Sequence, residues 1–409
     1  MGRILLLSAI AALALDAKVQ ARDLTLPEAE SLLLRNNREL QVARRGMESA
    51  DAQRVIAGAR PNATFSVNST GIASNVSADT VFRFDQPFER GNKRELRLGA
   101  AAGLQRAARS DYLDVLRQQL AVLQGAYYDL KLAQDKAQTL AENAELFSGT
   151  LAAAERRLKA GDLAPADVAK VQVDYERAQN DARSAQAELA RAQIALGYLL
   201  ALEAESRELR AVEPWPALLR ADPAAVEEAI DARPDVAAAR TRVEAAEKLR
   251  DLARAQRTRD ITLGAQYEHF PGNVPSNSVG FGVAVPIFTG YDFAGDIQKA
   301  EVDRYAALDA LARVRAVAQN ELARAASDLN AAAERVARFE DSLLGAANRS
   351  AQASEFAFSR GAISVLEVLD ARRTMRAVRL EALGARADYA KALGAWRAAQ
   401  ASVQALEAK

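Results

Sequence analysis

The chain has 409 residues, more than a typical single domain, and half of them are apolar although aromatic residues make up only 6%. Lysine plus arginine and aspartate plus glutamate both number 54, so the charge gives no reason to expect a nucleic acid partner. The absence of cysteine excludes disulfides, thiolate metal sites, thiol catalysis and a lipid-modified N-terminal cysteine. The many Ala, Leu, Arg, Glu and Gln residues favour long helices.

The N-terminal segment is typical of an export signal. Arg3 precedes an apolar run over residues 4–15, and residues 19–21 resemble a small-residue cleavage site. The alternative is an apolar first helix of a cytoplasmic protein. No later stretch approaches the roughly 20 apolar residues of a membrane-spanning helix. We therefore predict a signal peptide over residues 1–21 and a mature chain that is either soluble or part of a β-barrel.

Long helices are predicted in the first half of the mature chain. Thr25 as the cap, Pro27 in the first turn and Glu28 three residues after the cap predict a capping box and a helix that runs to about residue 58. Residues 92–160 contain no proline and have apolar residues at three- and four-residue spacing, which predicts a helix about 100 Å long. Gly161 ends this helix, and a second helix returns to about residue 200.

The second half repeats this plan after a less regular connector over residues 201–222. A helix over about 223–257 precedes a strand pair, and a very long helix is predicted over about 292–358. Gly361 ends it, and a last helix covers about 364–406. Helices of this length require lateral packing as coiled coils, so a soluble coiled-coil scaffold is one interpretation of the chain.

Two pairs of segments indicate that the chain is internally duplicated. Residues 86–91 correspond to 285–290 at an offset of 199, and residues 158–163 correspond to 358–363 at an offset of 200. This period is too long for a solenoid repeat and points to a duplicated domain. The predicted organisation is a signal peptide (1–21), a first repeat (22–200; strand pair 62–87, turn at 161), a connector (201–222) and a second repeat (223–409; strand pair 260–287, turn at 361).

Four segments alternate strictly between apolar and polar residues, as in transmembrane barrel strands with lipid on one side. The alternative is a pair of amphipathic hairpins packed on helices in a soluble protein. Four strands cannot close a barrel, and a membrane tolerates no open sheet edge, so other copies must complete it. The apolar residues are Ala63, Phe65, Val67, Phe82, Phe84, Ile261, Leu263, Ala265, Tyr267, Val279, Phe281, Val283 and Val285.

Charged residues on the opposite faces of these strands are candidates for the lining of a polar lumen. They are Arg83, Asp85 and Glu268. The alternative for Arg83 and Asp85 is a salt bridge near the membrane boundary. The single histidine, His269, lies at a strand end, and we interpret it as an interfacial residue and not as a ligand or base.

The chain resembles the TolC-like outer membrane factor family from about Leu24 to the C-terminus. The resemblance rests on the strand-to-helix motifs at 86–88 and 285–290 and on the turn motifs at 161–168 and 360–371, each present in both halves. Its strand-to-helix turn residues are Pro87, Pro286 and Gly290.

The resemblance implies a mainly α-helical fold with a small β part. It implies a homotrimer with a long α-helical coiled-coil barrel in the periplasm and a shared 12-stranded transmembrane β-barrel in the outer membrane, four strands per chain. Such proteins are passive exit ducts, to which a periplasmic adaptor (membrane fusion) protein and an inner-membrane pump such as a proton-driven RND transporter dock. The sequence is closer to members that serve heavy-metal cation pumps. No cofactor is expected, and one histidine without cysteine provides no soft-ligand metal site.

The resemblance also assigns residues to the periplasmic turns. Glu367 and Asp370, with Asp167 in the first turn, correspond to the acidic aperture of the family, where three copies would form carboxylate rings. The alternative is that each is an ordinary acid in the first turn of a helix. An enzyme is the remaining interpretation, but no nucleotide loop, metal cluster or nucleophile arrangement is present.

The predicted adaptor contacts are Leu158, Gly161, Leu163, Gly361 and Ile363, because apolar groups beside a turn are costly when exposed without a partner. Ile363 departs from the family pattern, since some members carry there an arginine that locks the tube. Any latch in this chain must therefore use other residues.

Overall fold

The computed structural model describes residues 22–72, 78–222, 226–272, 274–360 and 362–408, with the side chains of 226–228 excepted. The predicted signal peptide and Gly361 lie outside these residues. The fold is mainly α-helical with a small β part, as predicted. Its elements are β1 (Arg22–Leu24), α1 (Leu26–Asn36), α2 (Arg38–Gly58), β2 (Thr64–Thr70), β3 (Asp79–Phe88), α3 (Lys93–Lys159), α4 (Pro165–Leu200), a 3₁₀ turn (Ser206–Glu208), β4 (Leu209–Ala211), α5 (Val226–Asp231), α6 (Pro234–Ala255), β5 (Ile261–Phe270), β6 (Ser276–Ala284), α7 (Ala294–Arg338), a π-helical turn (Phe339–Leu343), α8 (Leu344–Ser359), α9 (Val365–Gln400) and α10 (Val403–Glu407).

The start of α1 is the predicted capping box. The amide of Glu28 donates to the Thr25 hydroxyl at 3.4 Å, and the amide of Thr25 donates to the Glu28 carboxylate at 2.9 Å. The prediction of one helix to residue 58 was wrong, because Asn37 has an extended backbone with ψ of 129°. Its side chain donates to the carbonyl of Leu199 at 3.1 Å. Asparagine is favoured at the ends of helices over their interiors, because its side chain hydrogen-bonds to backbone groups in non-helical conformations.

Two other predicted helices are also interrupted. Arg233 has ψ of 145° because the following Pro234 disfavours helical backbone, so the helix predicted over 223–257 consists of α5 and α6. The last helix ends at Gln400, and Ser402 caps α10 by accepting from the amide of Ala405 at 3.2 Å. Among the helices in the described ranges, none is long and apolar enough to cross a membrane.

The helix predicted over 292–358 contains a π-helical turn, Phe339–Leu343, which the periodicity did not predict. Before the turn, buried residues of the two halves correspond at an offset of 199, as in Leu130 and Leu329. After it they correspond at 200, as in Phe147 and Ala347. A π turn accommodates one extra residue within a helix, so it accounts for the change of offset.

The chain forms two compact units, each built from three segments. The first unit lies within Met1–Asn37, Leu123–Ala217 and Glu334–Lys391. Here β1 pairs in parallel with β4, a pairing of three residues that was not predicted. The second unit lies within Arg38–Val122, Leu218–Ala333 and Ala392–Lys409.

The second unit contains an antiparallel sheet in the order β2-β3-β5-β6, which confirms the four predicted strands. Its register aligns the apolar residues in rows across all four strands. One row is Phe65, Phe84, Ala265 and Phe281, and the next is Val67, Phe82, Tyr267 and Val279. Within the described residues, the outer edges of β2 and β6 have no paired strand.

Candidate functional site

The first turn of the first unit ends α3 with a glycine motif. Gly161 has a φ of +85°, and its amide donates to the carbonyl of Leu158 at 3.0 Å. The amide of Asp162 reaches the carbonyl of Arg157 at 2.9 Å, and this pair of bonds is the Schellman motif. Positive φ explains the glycine, because other residues are strained there.

The second turn has the equivalent six-residue hydrogen bond. The amide of Ala362 donates to the carbonyl of Ala357 at 2.9 Å, 200 residues after the corresponding bond of Asp162. The two halves therefore build their turns in the same way where both are described. We call residues 156–170 and 356–373, except Gly361, the turn region.

The predicted adaptor contacts are partly covered in this structure. Leu163 packs against the core of the turn region, and Leu158 and Ile363 are half-buried. The more exposed apolar side chains are Phe356 and Leu366, which sequence reasoning did not select. The buried core residues are Ala144, Phe147, Ala154, Val171, Ala178, Val365 and Leu369.

The three predicted aperture acids have different surroundings. Glu367 is exposed, and its amide donates to the Ser364 hydroxyl at 3.4 Å, so it also belongs to the cap of α9. Asp370 is exposed and forms no ion pair with another described residue. Asp167 is half-buried, and its carboxylate lies 3.2 Å from the ammonium of Lys170. Glu367 and Asp370 thus present the charges that are least compensated.

Ion pairs between α4 and α9 were not predicted. Arg373 contacts the buried carboxylate of Asp174 at 2.6 Å, and Arg376 contacts Asp181 at 2.7 Å. These residues carry no local motif, because the pairing becomes visible only when the two helices are known to be neighbours. Both pairs link the two halves of the sequence within the first unit.

The predicted lumen residues lie on the polar face of the sheet in the second unit. Arg83 Nε donates to Asp85 Oδ2 at 2.7 Å, so the two residues form the ion pair that was considered as the alternative to a lumen lining. Glu268 accepts from Gln266 at 2.6 Å and from the Ser278 hydroxyl at 2.9 Å. These charged side chains therefore form hydrogen bonds with one another or with other polar side chains of the same face.

The strand-to-helix prediction needs a correction at Pro87. This residue lies within β3, opposite Thr262, and the chain turns later, at Gly91 and Asn92, which have φ of 71° and 56°. At this position β3 pairs with β5 alone, since its pairing with β2 ends at Asp85.

The other two predicted turn residues, Pro286 and Gly290, lie between β6 and α7.

His269 lies at the end of β5, and its Nδ1 is 2.7 Å from the side-chain amide oxygen of Asn277. In the part of the chain that the structure describes, no group of three or more His, Asp or Glu residues is arranged to hold a metal ion.

The sequence matches the model of the family described as "Outer membrane efflux protein" in two segments, residues 30–202 and 225–406. The chain belongs to this family. The membership confirms the resemblance to TolC-like outer membrane factors, and it makes the protein an efflux component and not an enzyme.

Similar proteins cover nearly the whole chain of this outer membrane efflux protein. The cobalt-zinc-cadmium resistance protein CzcC of Cupriavidus metallidurans is 25% identical over 372 residues, which are 89% of this chain and 87% of CzcC. The CmeC outer membrane channel of Campylobacter jejuni has a TM-score of 0.79 at 16% identity, covering 92% of this chain and 85% of CmeC. The MtrE outer membrane channel of Neisseria gonorrhoeae has a TM-score of 0.75 at 17% identity, covering 92% and 88%. These structures share the fold.

Proposed function

We propose that the chain is one subunit of a passive trimeric duct in the outer membrane. The observation that carries this proposal is the apolar face of the sheet. Phe65 is 65% exposed and Phe281 is 87% exposed, although both lie in a row that crosses all four strands. Such a continuous apolar surface is costly in water and is the surface that lipid covers in a membrane barrel.

The open edges of the sheet support the trimer. Unpaired backbone groups on β2 and β6 are costly in a membrane, and closure of the sheet removes them. If β6 of one copy pairs with β2 of the next, three copies form a twelve-stranded barrel. We place the barrel in the outer membrane and the helical tube in the periplasm.

Cysteine cross-linking tests this arrangement, because the native sequence has no cysteine. Single cysteines at positions 64–70 are combined with single cysteines at positions 276–284, and membranes are oxidised before denaturing electrophoresis. We expect covalent trimers for one register of pairs. A pair of cysteines at Asn68 and Thr241, on β2 and α6, is the control. Recovery of the protein as a detergent-free monomer would overturn the proposal.

The repeat organisation belongs to the same proposal. We take residues 22–200 and 223–409 as two copies of one ancestral unit, joined by the connector 201–222. The family match in two segments and the equivalent hydrogen bonds of the two turns support this division. Each copy then supplies two strands and one turn.

We propose that the turn region binds a periplasmic adaptor protein and, through it, an inner-membrane pump. Exposed Phe356 and half-buried Leu158, Leu163 and Ile363 provide apolar contacts, and Gly161 provides the turn. A photo-cross-linking residue at Leu158 or Phe356 should capture the adaptor in intact cells. The same residue at Ile56, which is exposed on α2, should not. Equal capture at all three positions would contradict the assignment.

We further propose heavy-metal cations as the transported substrates. The similarity to CzcC, a cobalt-zinc-cadmium resistance protein, and the exposed carboxylates of Glu367 and Asp370 support this choice. Cells that lack the gene should accumulate cobalt, zinc or cadmium, and the intact gene should restore export. Normal metal content together with raised drug sensitivity would instead indicate a drug exporter.

A further inference from the structure

Two glycines on the polar face of the sheet lie next to charged or polar side chains. Gly264 of β5 is paired with Asp85 of β3, and Gly280 of β6 is paired with Gln266 of β5. Glycine inside a strand weakens it and often marks a place where another group approaches closely. Both glycines have ordinary extended backbone, so conformational freedom does not explain them.

The space above Gly264 is occupied by the carboxylate of Asp85. A Cβ at position 264 would overlap Asp85 Oδ1 and would lie 3.4 Å from Arg83 Nη2. Asp85 Oδ1 is buried and has no hydrogen-bond donor among the described residues, while Oδ2 accepts from Arg83 Nε at 2.7 Å. The carboxylate therefore lies flat on the strand, although that position leaves one oxygen without a partner.

Gln266 has the same arrangement one strand further on. Its Cγ lies 3.1 Å from the position of a Cβ on Gly280. In both cases a polar side chain leans over a glycine of the next strand, so the polar side chains lie along the sheet and do not project from it. The contact at Gly264 is the closer of the two and involves the only ion pair among the described residues of these strands.

We propose that Gly264 sets the conductance and ion preference of the strand region by holding the Arg83–Asp85 pair flat. The inference rests on the proposed channel function, in which the polar face lines the lumen. With the pair flat and closed, three copies add little bulk and no net charge to the lumen. Arg83 and Asp85 then form a part of the lumen lining that has no net charge. They can lie flat because Gly264 has no Cβ, which leaves a recess for the Asp85 carboxylate.

A methyl group at position 264 forces the carboxylate off the strand, because the Cβ and Oδ1 cannot occupy the same space. The 2.7 Å contact with Arg83 Nε is then lost or displaced, and both side chains enter the lumen. Gly282 is the matched control. It is paired with Gly264 on the same face, but a Cβ there would meet no atom within 4 Å.

Single-channel recording in planar bilayers with the purified full chain in KCl tests the proposal. We expect Gly264→Ala to lower the conductance and Gly282→Ala to leave it unchanged. In an Asp85→Ala background, where the obstacle is absent, adding Gly264→Ala should have no further effect. This non-additivity separates the proposed contact from a general effect of a methyl group in the lumen.

A second measurement keeps the proposal testable if Gly264→Ala does not assemble. Asp85→Asn retains the shape of the side chain but leaves Arg83 uncompensated, so the reversal potential in a KCl gradient should shift toward anion preference. Any one of three results would overturn the inference. They are an unchanged conductance in Gly264→Ala, an equal loss of conductance when Gly264→Ala is added to Asp85→Ala, and an unchanged reversal potential in Asp85→Asn. A wild-type protein that forms no channels would instead overturn the proposed function.

Discussion

Arg373 of α9 holds the buried carboxylate of Asp174 of α4 through one nitrogen, Nη2, which lies 2.6 Å from both carboxylate oxygens. The two partners differ in burial, since the side chain of Asp174 is 5% exposed and that of Arg373 is 48% exposed. Loss of the arginine therefore leaves a charge in an apolar environment, whereas loss of the carboxylate leaves a charge that water can reach.

We expect Arg373→Ala to destabilise the first unit more than Asp174→Asn does. The loss of the arginine should cost about 3 kcal/mol because an uncompensated buried charge remains. Thermal unfolding in detergent, followed by circular dichroism, gives the comparison. Arg335→Ala is the control, because its pair with Asp388 is half-exposed on both sides and such pairs contribute about 0–1 kcal/mol. Equal destabilisation by the two variants of the buried pair would contradict the burial argument.

Tyr127 predicts an alkaline dependence of stability. Its hydroxyl donates to the carbonyl of Leu24 at 2.7 Å and accepts from the amide of Glu213 at 3.0 Å. Burial raises the pKa of this hydroxyl to about 12. A raised pKa in the folded state means that the stabilisation is complete below the ordinary pKa of about 10 and is lost as the pH rises to about 12.

Tyr127→Phe should therefore lower the free energy of unfolding by about 1–3 kcal/mol at neutral pH, because the amide of Glu213 loses its acceptor. It should also reduce the fall in stability between pH 10 and 12. Unfolding midpoints at several pH values measure both effects. Tyr112→Phe, at a half-buried tyrosine of α3, is the control and should keep the wild-type slope. An unchanged slope in Tyr127→Phe would rule out this hydroxyl as the source.

Arg233 predicts an acid dependence in the second unit. It is fully buried, and its Nη2 lies 2.7 Å from Asp235 and 2.8 Å from Glu321. Burial acts to raise the pKa of Asp235, but the hydrogen bonds and charge of Arg233 outweigh it and hold the pKa below its usual value. The stabilisation is therefore present above the ordinary pKa of about 4 and is lost as the pH falls through the lower value of the folded state.

Arg233→Met should remove this network at a cost of about 1–3 kcal/mol, since the carboxylates of Asp235 and Glu321 lose their hydrogen-bond donor but remain partly exposed to water. The acid dependence below about pH 4 should become shallower, because the pKa of Asp235 returns toward its ordinary value. Urea unfolding at pH 3 to 6 measures both. Arg106→Ala, which removes a half-exposed pair with Glu244, is the control. A wild-type pH profile in Arg233→Met would contradict the assignment.

Features caused by residues close together in the sequence were predictable, and features caused by contacts between distant residues were not. The capping box of Thr25 and Glu28 was predictable because its partners are three residues apart. The strand pairs were predictable because alternation repeats over many residues. The break at Asn37 was not, because its amide bonds to the distant carbonyl of Leu199. A periodic pattern also cannot distinguish a helix that absorbs one extra residue, as at Phe339–Leu343, from one that does not.

The candidate site was predictable only in part, for the same reason. The glycine turn at Gly161 and the acids of the second turn follow motifs that are local in sequence. The pairing of Asp174 with Arg373 requires the neighbour relationship of α4 and α9, which no local pattern contains. The recess at Gly264 likewise depends on the register of β3 and β5, because a shift of one residue would place Asp85 on the other face.

The aperture assignment gives the last prediction. Glu367 and Asp370 are exposed and carry the least compensated charges among the predicted acids of the turn region, whereas Asp167 is partly compensated by Lys170. If three copies form carboxylate rings, Glu367→Ala combined with Asp370→Ala should weaken cation preference in planar bilayers, because a ring of negative charge concentrates cations. The effect should shrink in high salt, since exposed charges are screened over about 3 Å at 1 M.

The control for this double variant is Glu176→Ala, which removes one exposed acid from the surface of α4. Asp167→Ala should have a smaller effect than the double variant. Unchanged reversal potential and conductance in the double variant would remove both residues from the pore and leave them as first-turn acids of α9. In that case the loss of the hydrogen bond from the Ser364 hydroxyl to the Glu367 carboxylate should still lower the unfolding midpoint slightly, since one such hydrogen bond contributes about 0.5–1.5 kcal/mol.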